Sequence, residues 1–366
     1  MTGSARLLRA LHLDGPLFVA LCLTGAVGLT VLFSASGQRF GMVEAHAVRF
    51  VLAMIVMIML AQVPPRLIRG ATPWLYLSGL LLLFMVMLVG EVSMGAQRWL
   101  DLGIVRFQPS EMMKIAVPLA CAWYLKDRPL PPSLLSVLVL MTAIVVPTVL
   151  IAEQPDLGTA LLVAAAGFMV VLLAGLRVRY IVWAFAAFVP VAFVAWQFLL
   201  HDYQRQRVLT FLDPQSDPLG AGYHTIQSQI AIGSGGVFGK GYLNGSQAQL
   251  EFLPERSTDF VFAVIGEEWG LMGLITVLLL YMFIIGRSLY LAATAQDTFA
   301  RLVSGSLSLT FCVYVLVNTG MVTGLLPVVG VPLPLISYGG TSMVTLMAGF
   351  GILMSLCAKR RLVSRR

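Results

Sequence analysis

The chain has 366 residues, of which 58% are hydrophobic and 11% charged, with a mean hydropathy of +0.89. A water-soluble domain of this length cannot cover its surface with so few charges, so the composition excludes that class and points to an all-α polytopic membrane protein. The net charge of +7 is explained by loop placement rather than by nucleic acid, and Cys22, Cys121, Cys312 and Cys357 all fall in apolar runs, as buried hydrophobes rather than disulfide or metal partners.

Arg6 and Arg9 precede the first apolar run. That run is nearer to spanning length than a signal-peptide core and many more follow, so it reads as an uncleaved first helix. Runs long enough to cross a bilayer occur at about 16–34, 46–63, 73–90, 109–125, 134–152, 157–175, 180–200, 260–286, 302–323 and 338–358. Ten spans place both termini on one side. The larger share of the 24 Lys and Arg falls in the terminal segments and the even-numbered loops, including Arg66, Arg69, Lys126, Arg128, Arg177, Arg179, Arg287 and Arg301. The positive-inside rule therefore puts both termini in the cytoplasm. Of the 17 Asp and Glu, only Asp14, Asp127 and Asp297 share that side, so the working site is expected on the outer face.

Residues 201–258 form the one long extramembrane segment, expected to fold over the outer face. Within it, Asp213-Pro214 and Asp217-Pro218 are turn signals, and residues 223–232 suit a short interfacial helix with Ile226, Ile230 and Ala231 on one side. No repeat or low-complexity tract divides the chain, which reads as a single transmembrane domain over 1–366.

The densest chemistry lies at 233–270, GSGGVFGKGYLNGSQAQLEFLPERSTDFVFAVIGEEWG. Asp259 stands at the outer mouth of the eighth span, where it either caps the helix or serves as a general base. Glu267 and Glu268 lie ~12 Å further along, inside hydrocarbon, as a structural pair or as the lining of a polar cavity. The fourth span opens with QPSEMMK, and Glu111 and Lys114, three residues apart, form a pair unless Lys114 meets an anion instead. Arg98 beside Trp99 suits an interfacial anchor, but Arg98, Arg106, Lys114 and Arg256 together could cradle a diphosphate. Asp156, in the EQPDLGT turn, is a cap or a site residue. Pro327, Pro332 and Pro334 lead into ISYGGTS, an uncharged loop of the kind tolerated at membrane depth where it lines a cavity. P-loop, HExxH and GxSxG motifs are absent and the four His are scattered, which leaves nucleotide-driven transport, zinc hydrolysis and Ser–His–Asp hydrolysis without support.

With RFQPSEMMK, EQPDLGTA and PLISYGGTS, the 233–270 stretch resembles the SEDS (shape, elongation, division and sporulation) family over essentially the whole chain, the rod-shape branch before the division branch. The resemblance implies ten helices and a peptidoglycan glycosyltransferase that polymerises lipid II at the outer leaflet of the cytoplasmic membrane. It makes Asp259 the catalytic aspartate, and it maps the QPSExxK and QPDLGT positions onto Glu111, Lys114 and Asp156. Glu255 and Arg256 of the same motif join the substrate-binding set. Ser257 stands where the family pattern leads one to expect His, which argues against a role for that position in proton transfer. Expected partners are lipid II, a class B penicillin-binding transpeptidase and the elongation machinery. The expected cofactor is a divalent cation, Mg²⁺ or Mn²⁺, carried largely by the diphosphate, with no organic group. Two rival readings are a lipid II flippase and a scaffold that only recruits a partner enzyme.

Overall fold

The computed structural model describes residues 11–358, apart from 94–95, 102–105, 178, 181, 184–185, 187–189, 191–192, 194, 200–201, 214–220, 251–252 and 254. The helices are α1 (Gly15–Ala35), α2 (Phe40–Gln62), α3 (Pro65–Val89), α4 (Pro109–Leu125), α5 (Leu134–Ala152), α6 (Leu157–Leu173), α7 (Asp202–Leu212), α8 (Ala221–Gly235), α9 (Ser246–Gln249), α10 (Val261–Ala293), α11 (Thr298–Val322) and α12 (Thr341–Cys357). By length and composition, α1, α2, α3, α5, α10 and α11 can each cross a membrane, and α6 and α12 are shorter apolar helices. The span expected at 180–200 falls partly outside the described residues, its described part including a π-helical turn over Ala195–Leu199, and the Asp217-Pro218 turn and the proline of Asp213-Pro214 lie outside them.

Helix starts follow local chemistry. Asp14, Ser133, Asp156 and Asp297 each accept a backbone N–H three residues on, and Pro65 and Pro109 occupy first turns. Several helices outrun the apolar windows. α2 begins six residues before its window, and α10 continues past 286 because Arg287 meets the Asp14 carboxylate at 2.9 and 2.7 Å. A charge with a partner does not end a helix. On the same end of the bundle, Arg69 bonds Asp297.

Two apolar cores hold the bundle. The first gathers Leu17 and Leu21 of α1, Met57 of α2, Val264 and Tyr281 of α10, and Met347 and Leu353 of α12. The second gathers Leu83, Val117, Ile144, Val163 and Val303 from α3, α4, α5, α6 and α11. α11 serves both, since its Phe311 belongs to the first core and its Phe299 to the second. A small antiparallel sheet, β1 (Glu91–Ser93), β2 (Ala96–Asp101) and β3 (Arg106–Phe107), occupies what the apolar pattern marks only as a loop. Glu91 pairs with Trp99, and Leu100 with Phe107.

The long segment departs from expectation. Rather than lying across the helix ends, α8 runs beside α10, and residues 236–241 meet the first third of that helix, at Glu267–Met272. There Gly270, at φ 67° and ψ −163°, breaks the helical ladder. Only glycine is at ease in that conformation, and an added Cβ would come within 2.3 Å of Gly239 N. The freed backbone groups find partners in the inserted loop. Lys240 N and Gly241 N donate to the Glu267 and Glu268 carbonyls, while Leu271 N and Met272 N donate to Gly236 O and Val237 O. Irregular backbone at this depth is tolerated because protein satisfies it. The face of α8 turned inward also differs from the expected one. Ala231 is buried and Ser228 Oγ donates to Val322 O, whereas Ile230 is exposed.

Candidate active site

Asp259 lies in a turn over 255–260. Glu255 adopts a left-handed backbone (φ 51°), its carbonyl accepts from Thr258 N and Phe260 N, and its carboxylate accepts from Thr258 Oγ1 at 2.7 Å. The cap position of α10 is Phe260, so Asp259 stands one residue outside the helix rather than in the cap. Phe260 itself stacks on His224 of α8 at 5.7 Å.

Two segments fasten this turn. Asn318 Nδ2, near the end of α11, donates to both Asp259 O and Val331 O at 2.8 Å, drawing the 255–260 turn to the Pro-rich loop. In that loop Gly330 has φ 74°, and a Cβ there would lie 3.6 Å from Asp259 Oδ2. A side chain at Gly330 would therefore be strained by its backbone angle, with its Cβ in contact with the carboxylate. Further along, Tyr338 N donates to Ser257 O at 2.8 Å.

The QPSE and QPDLGT motifs meet on the neighbouring side. Asp156 caps α6 through Thr159 N at 3.2 Å, and its other oxygen accepts from Gln108 Nε2 at 3.0 Å. Arg98, on β2, donates to the carbonyls of Gln154 and Pro155, so its guanidinium braces the turn between α5 and α6. Arg106 is on β3, and its side chain lies outside the described residues. Leu162, Tyr314 and Val331 bury one another, which joins α6, α11 and the Pro-rich loop.

Glu111 and Lys114 form a buried ion pair at 2.6 Å, and Lys114 Nζ lies 5.3 Å from the centre of the Tyr314 ring. The pairing reading therefore accounts for Lys114, which lines a narrow, largely apolar cleft between α4, α11 and α12 with Phe311, Tyr314 and Phe350. Ser110 Oγ, Glu111 Oε2 and Asn318 Oδ1 are buried without a hydrogen bond from the described residues. Unsatisfied buried acceptors are uncommon and collect where water or a ligand is bound.

Glu267 and Glu268 turn out to be anchors for the inserted loop. Glu267, fully buried, pairs with Lys240 at 2.7 Å and accepts from Gln247 N at 2.9 Å, and Glu268 accepts from Ser34 Oγ. Among the described residues no group of three or more His, Cys, Asp or Glu is arranged to hold a metal ion. Sequence reasoning missed Asn318, a neutral polar residue within an apolar run whose one signal is its rarity there. It also missed Gly330, whose role shows only in its backbone angle.

The cell cycle protein family of FtsW, RodA and SpoVE matches residues 16–362. The chain is 53% identical over 357 residues to the peptidoglycan glycosyltransferase MrdB of Escherichia coli K12, covering 97% of this chain and 96% of that one. It is 34% identical over 352 residues to the probable peptidoglycan glycosyltransferase FtsW of E. coli O6:H1, covering 92% and 84%. Among solved structures, a peptidoglycan synthase complex that coordinates polymerization and crosslinking matches with TM-score 0.84 at 33% identity, over 95% of this chain and 98% of that one. The rod shape determining protein RodA of Thermus thermophilus matches with TM-score 0.72 at 29% identity, over 95% and 97%.

Proposed function

The chain belongs to the FtsW–RodA–SpoVE (SEDS) family and is a peptidoglycan glycosyltransferase, and from that premise we propose that Asp259 is its general base. The substrate in this reading is lipid II, presented at the outer leaflet of the cytoplasmic membrane, and both termini lie in the cytoplasm. The Asp259 carboxylate takes the proton of the acceptor GlcNAc 4-hydroxyl. The resulting oxygen nucleophile bonds to the anomeric carbon of the donor MurNAc with inversion, the bond from that carbon to the diphosphate breaks, and undecaprenyl diphosphate leaves. The proton then passes from Asp259 to water.

The observation that carries this reading is the construction around one carboxylate. Asn318 fixes the Asp259 backbone, and the residue facing its carboxylate is a glycine in a conformation that excludes larger side chains. Preorganisation of this kind is what a base needs, since it acts only within hydrogen-bond reach of its proton. Arg106 and Arg256 supply charge for the leaving diphosphate. Arg98 and Lys114 contribute from positions where backbone carbonyls and Glu111 already hold them. Glu255 shapes the turn, and Glu111 and Asp156 position the QPSE and QPDLGT segments. In this reading a divalent cation is carried by the diphosphate rather than by the protein. The likeness to the synthase complex supports pairing with a class B penicillin-binding transpeptidase during cell elongation.

The test is polymerisation of labelled lipid II by the purified full-length protein. Asp259→Asn keeps the shape and removes the base, and the rate of glycan synthesis is expected to fall by about 10²–10⁴-fold. Chains made at the wild-type rate would remove Asp259 from this role.

A further inference from the structure

We propose that Arg49 is a ligand for the diphosphate of the lipid-linked substrate, an assignment that rests on the transferase reading above. Arg49 is nine residues into α2, ~14 Å along the helix from Phe40. A guanidinium on a helix of membrane-spanning length is costly wherever it meets hydrocarbon, and such residues normally sit beside a carboxylate or face a polar pathway. Other cations of the bundle follow the first course. Lys114 has Glu111, Arg69 has Asp297, Arg287 has Asp14 and Lys240 has Glu267.

Arg49 follows the second. Among the described residues it forms no ion pair. Its guanidinium carbon instead lies over the Tyr338 ring, 4.7 Å from the centre. His46, one turn back on the same face of α2, is fully buried against the same ring at 6.1 Å. His46 therefore packs the ring and supplies Arg49 with no counter-charge. An aromatic ring on the face of a guanidinium orients it and leaves its in-plane N–H fork for two oxygens of one anion.

The position selects the anion. Tyr338 N donates to Ser257 O, two residues before Asp259, so the ring that carries Arg49 is tied to the turn that carries the base. Gly340, two residues beyond Tyr338, also adjoins the Arg49 side chain. Glycosyl transfer from a lipid-linked donor requires positive charge near the departing diphosphate and a base at the acceptor hydroxyl. Arg49 and Asp259 provide these from two ends of one connected unit. The shared chemistry is a diphosphate on a polyprenyl chain, whether in the intact donor or in the released product.

The experiment measures protection of the purified full-length protein against thermal unfolding by undecaprenyl diphosphate, in the same detergent as the polymerisation assay. Wild-type protein is expected to gain a concentration-dependent rise in Tm. Arg49→Met is expected to require at least tenfold more ligand for the same rise, with undecaprenyl monophosphate giving a smaller difference between the two proteins. A purely packing role would lower the Tm of the free variant and leave the ligand-dependent rise intact, and that result overturns the assignment. Should Arg49→Met not fold, Arg49→Gln keeps a polar side chain and reads the same quantity, an undiminished rise again being the overturning result. The two readings fail separately. Wild-type protein that binds undecaprenyl diphosphate but makes no glycan removes the transferase mechanism and leaves Arg49 as the diphosphate ligand, whereas active protein whose Arg49 variants bind as the wild type removes Arg49 alone.

Discussion

Asn318 shows how much one uncharged side chain can set in a membrane enzyme. Its amide donates to two backbone carbonyls from segments 59 and 13 residues away. Asn318→Ala leaves Asp259 O and Val331 O without that donor, at a cost of about 1–3 kcal/mol for each acceptor that water does not reach. The expected result is a Tm lower by several degrees and a loss of glycan synthesis of at least tenfold, read by thermal unfolding and the lipid II assay on one preparation. A variant that loses stability but polymerises normally would separate Asn318 from the base. Asp259 stands out in the sequence as a carboxylate at the mouth of an apolar run, and the Glu111–Lys114 pair was legible because three-residue spacing puts both on one helix face. Asn318 carries no charge to mark it. Arg49 was hidden differently, since the apolar window placed it near the start of a span while the helix begins six residues earlier.

At the scale of elements, the break in α10 and the inserted loop define each other. A break inside a helix of spanning length needs donors and acceptors from elsewhere, and the loop supplies four backbone hydrogen bonds to Glu267, Glu268, Leu271 and Met272. The Lys240–Glu267 pair adds charge to this junction, with Glu267 fully buried and Lys240 side chain 29% exposed. Lys240→Met strands the carboxylate. Removing one partner of a buried pair costs about 3–5 kcal/mol, and the lower end applies here because Gln247 N and Ser246 Oγ still donate to Glu267. Lys240→Met should lower the Tm and open residues 236–250 to protease. Adding Glu267→Gln should recover part of the loss, and the double-mutant cycle measures the coupling. A cycle with no coupling would show that backbone bonds alone hold the loop. The sequence revealed that this stretch was rich in Gly and acid. It did not reveal the docking, because the left-handed angle of Gly270 is a property of the packed pair and not of either segment alone. The 91–107 sheet escaped for a related reason, as strands this short are specified by their register with each other and leave little alternation to read.

Across the whole molecule, charge distribution carries a prediction that the functional reading depends on. Asp259, Glu255 and the loop through Gly37, which neighbours the Arg256 side chain, occupy one end of the bundle. The other end carries the Asp14–Arg287 and Arg69–Asp297 pairs, with Arg66, Lys126, Arg128 and Arg301 in the same set of short loops. Lys and Arg resist translocation whereas Asp and Glu have little effect on it, so the basic end is expected to be the one retained in the cytoplasm. The sequence made this asymmetry legible because it depends on loop composition alone, while the division of the bundle into two cores sharing α11 required the packing to be seen. Replacing Cys22, Cys121, Cys312 and Cys357 with Ala gives a background in which single exposed positions can be probed. Gln38, at the Asp259 end, and Gln296, between α10 and α11 at the basic end, are both exposed. In intact cells with a permeabilised outer envelope, Gln38→Cys should react with a membrane-impermeant maleimide, and Gln296→Cys only after lysis. The reverse pattern would turn Asp259 toward the cytoplasm, away from any substrate presented on the outer leaflet. No placement of Arg49 or Asn318 could then rescue polymerisation at that surface, since both act through the same turn as Asp259.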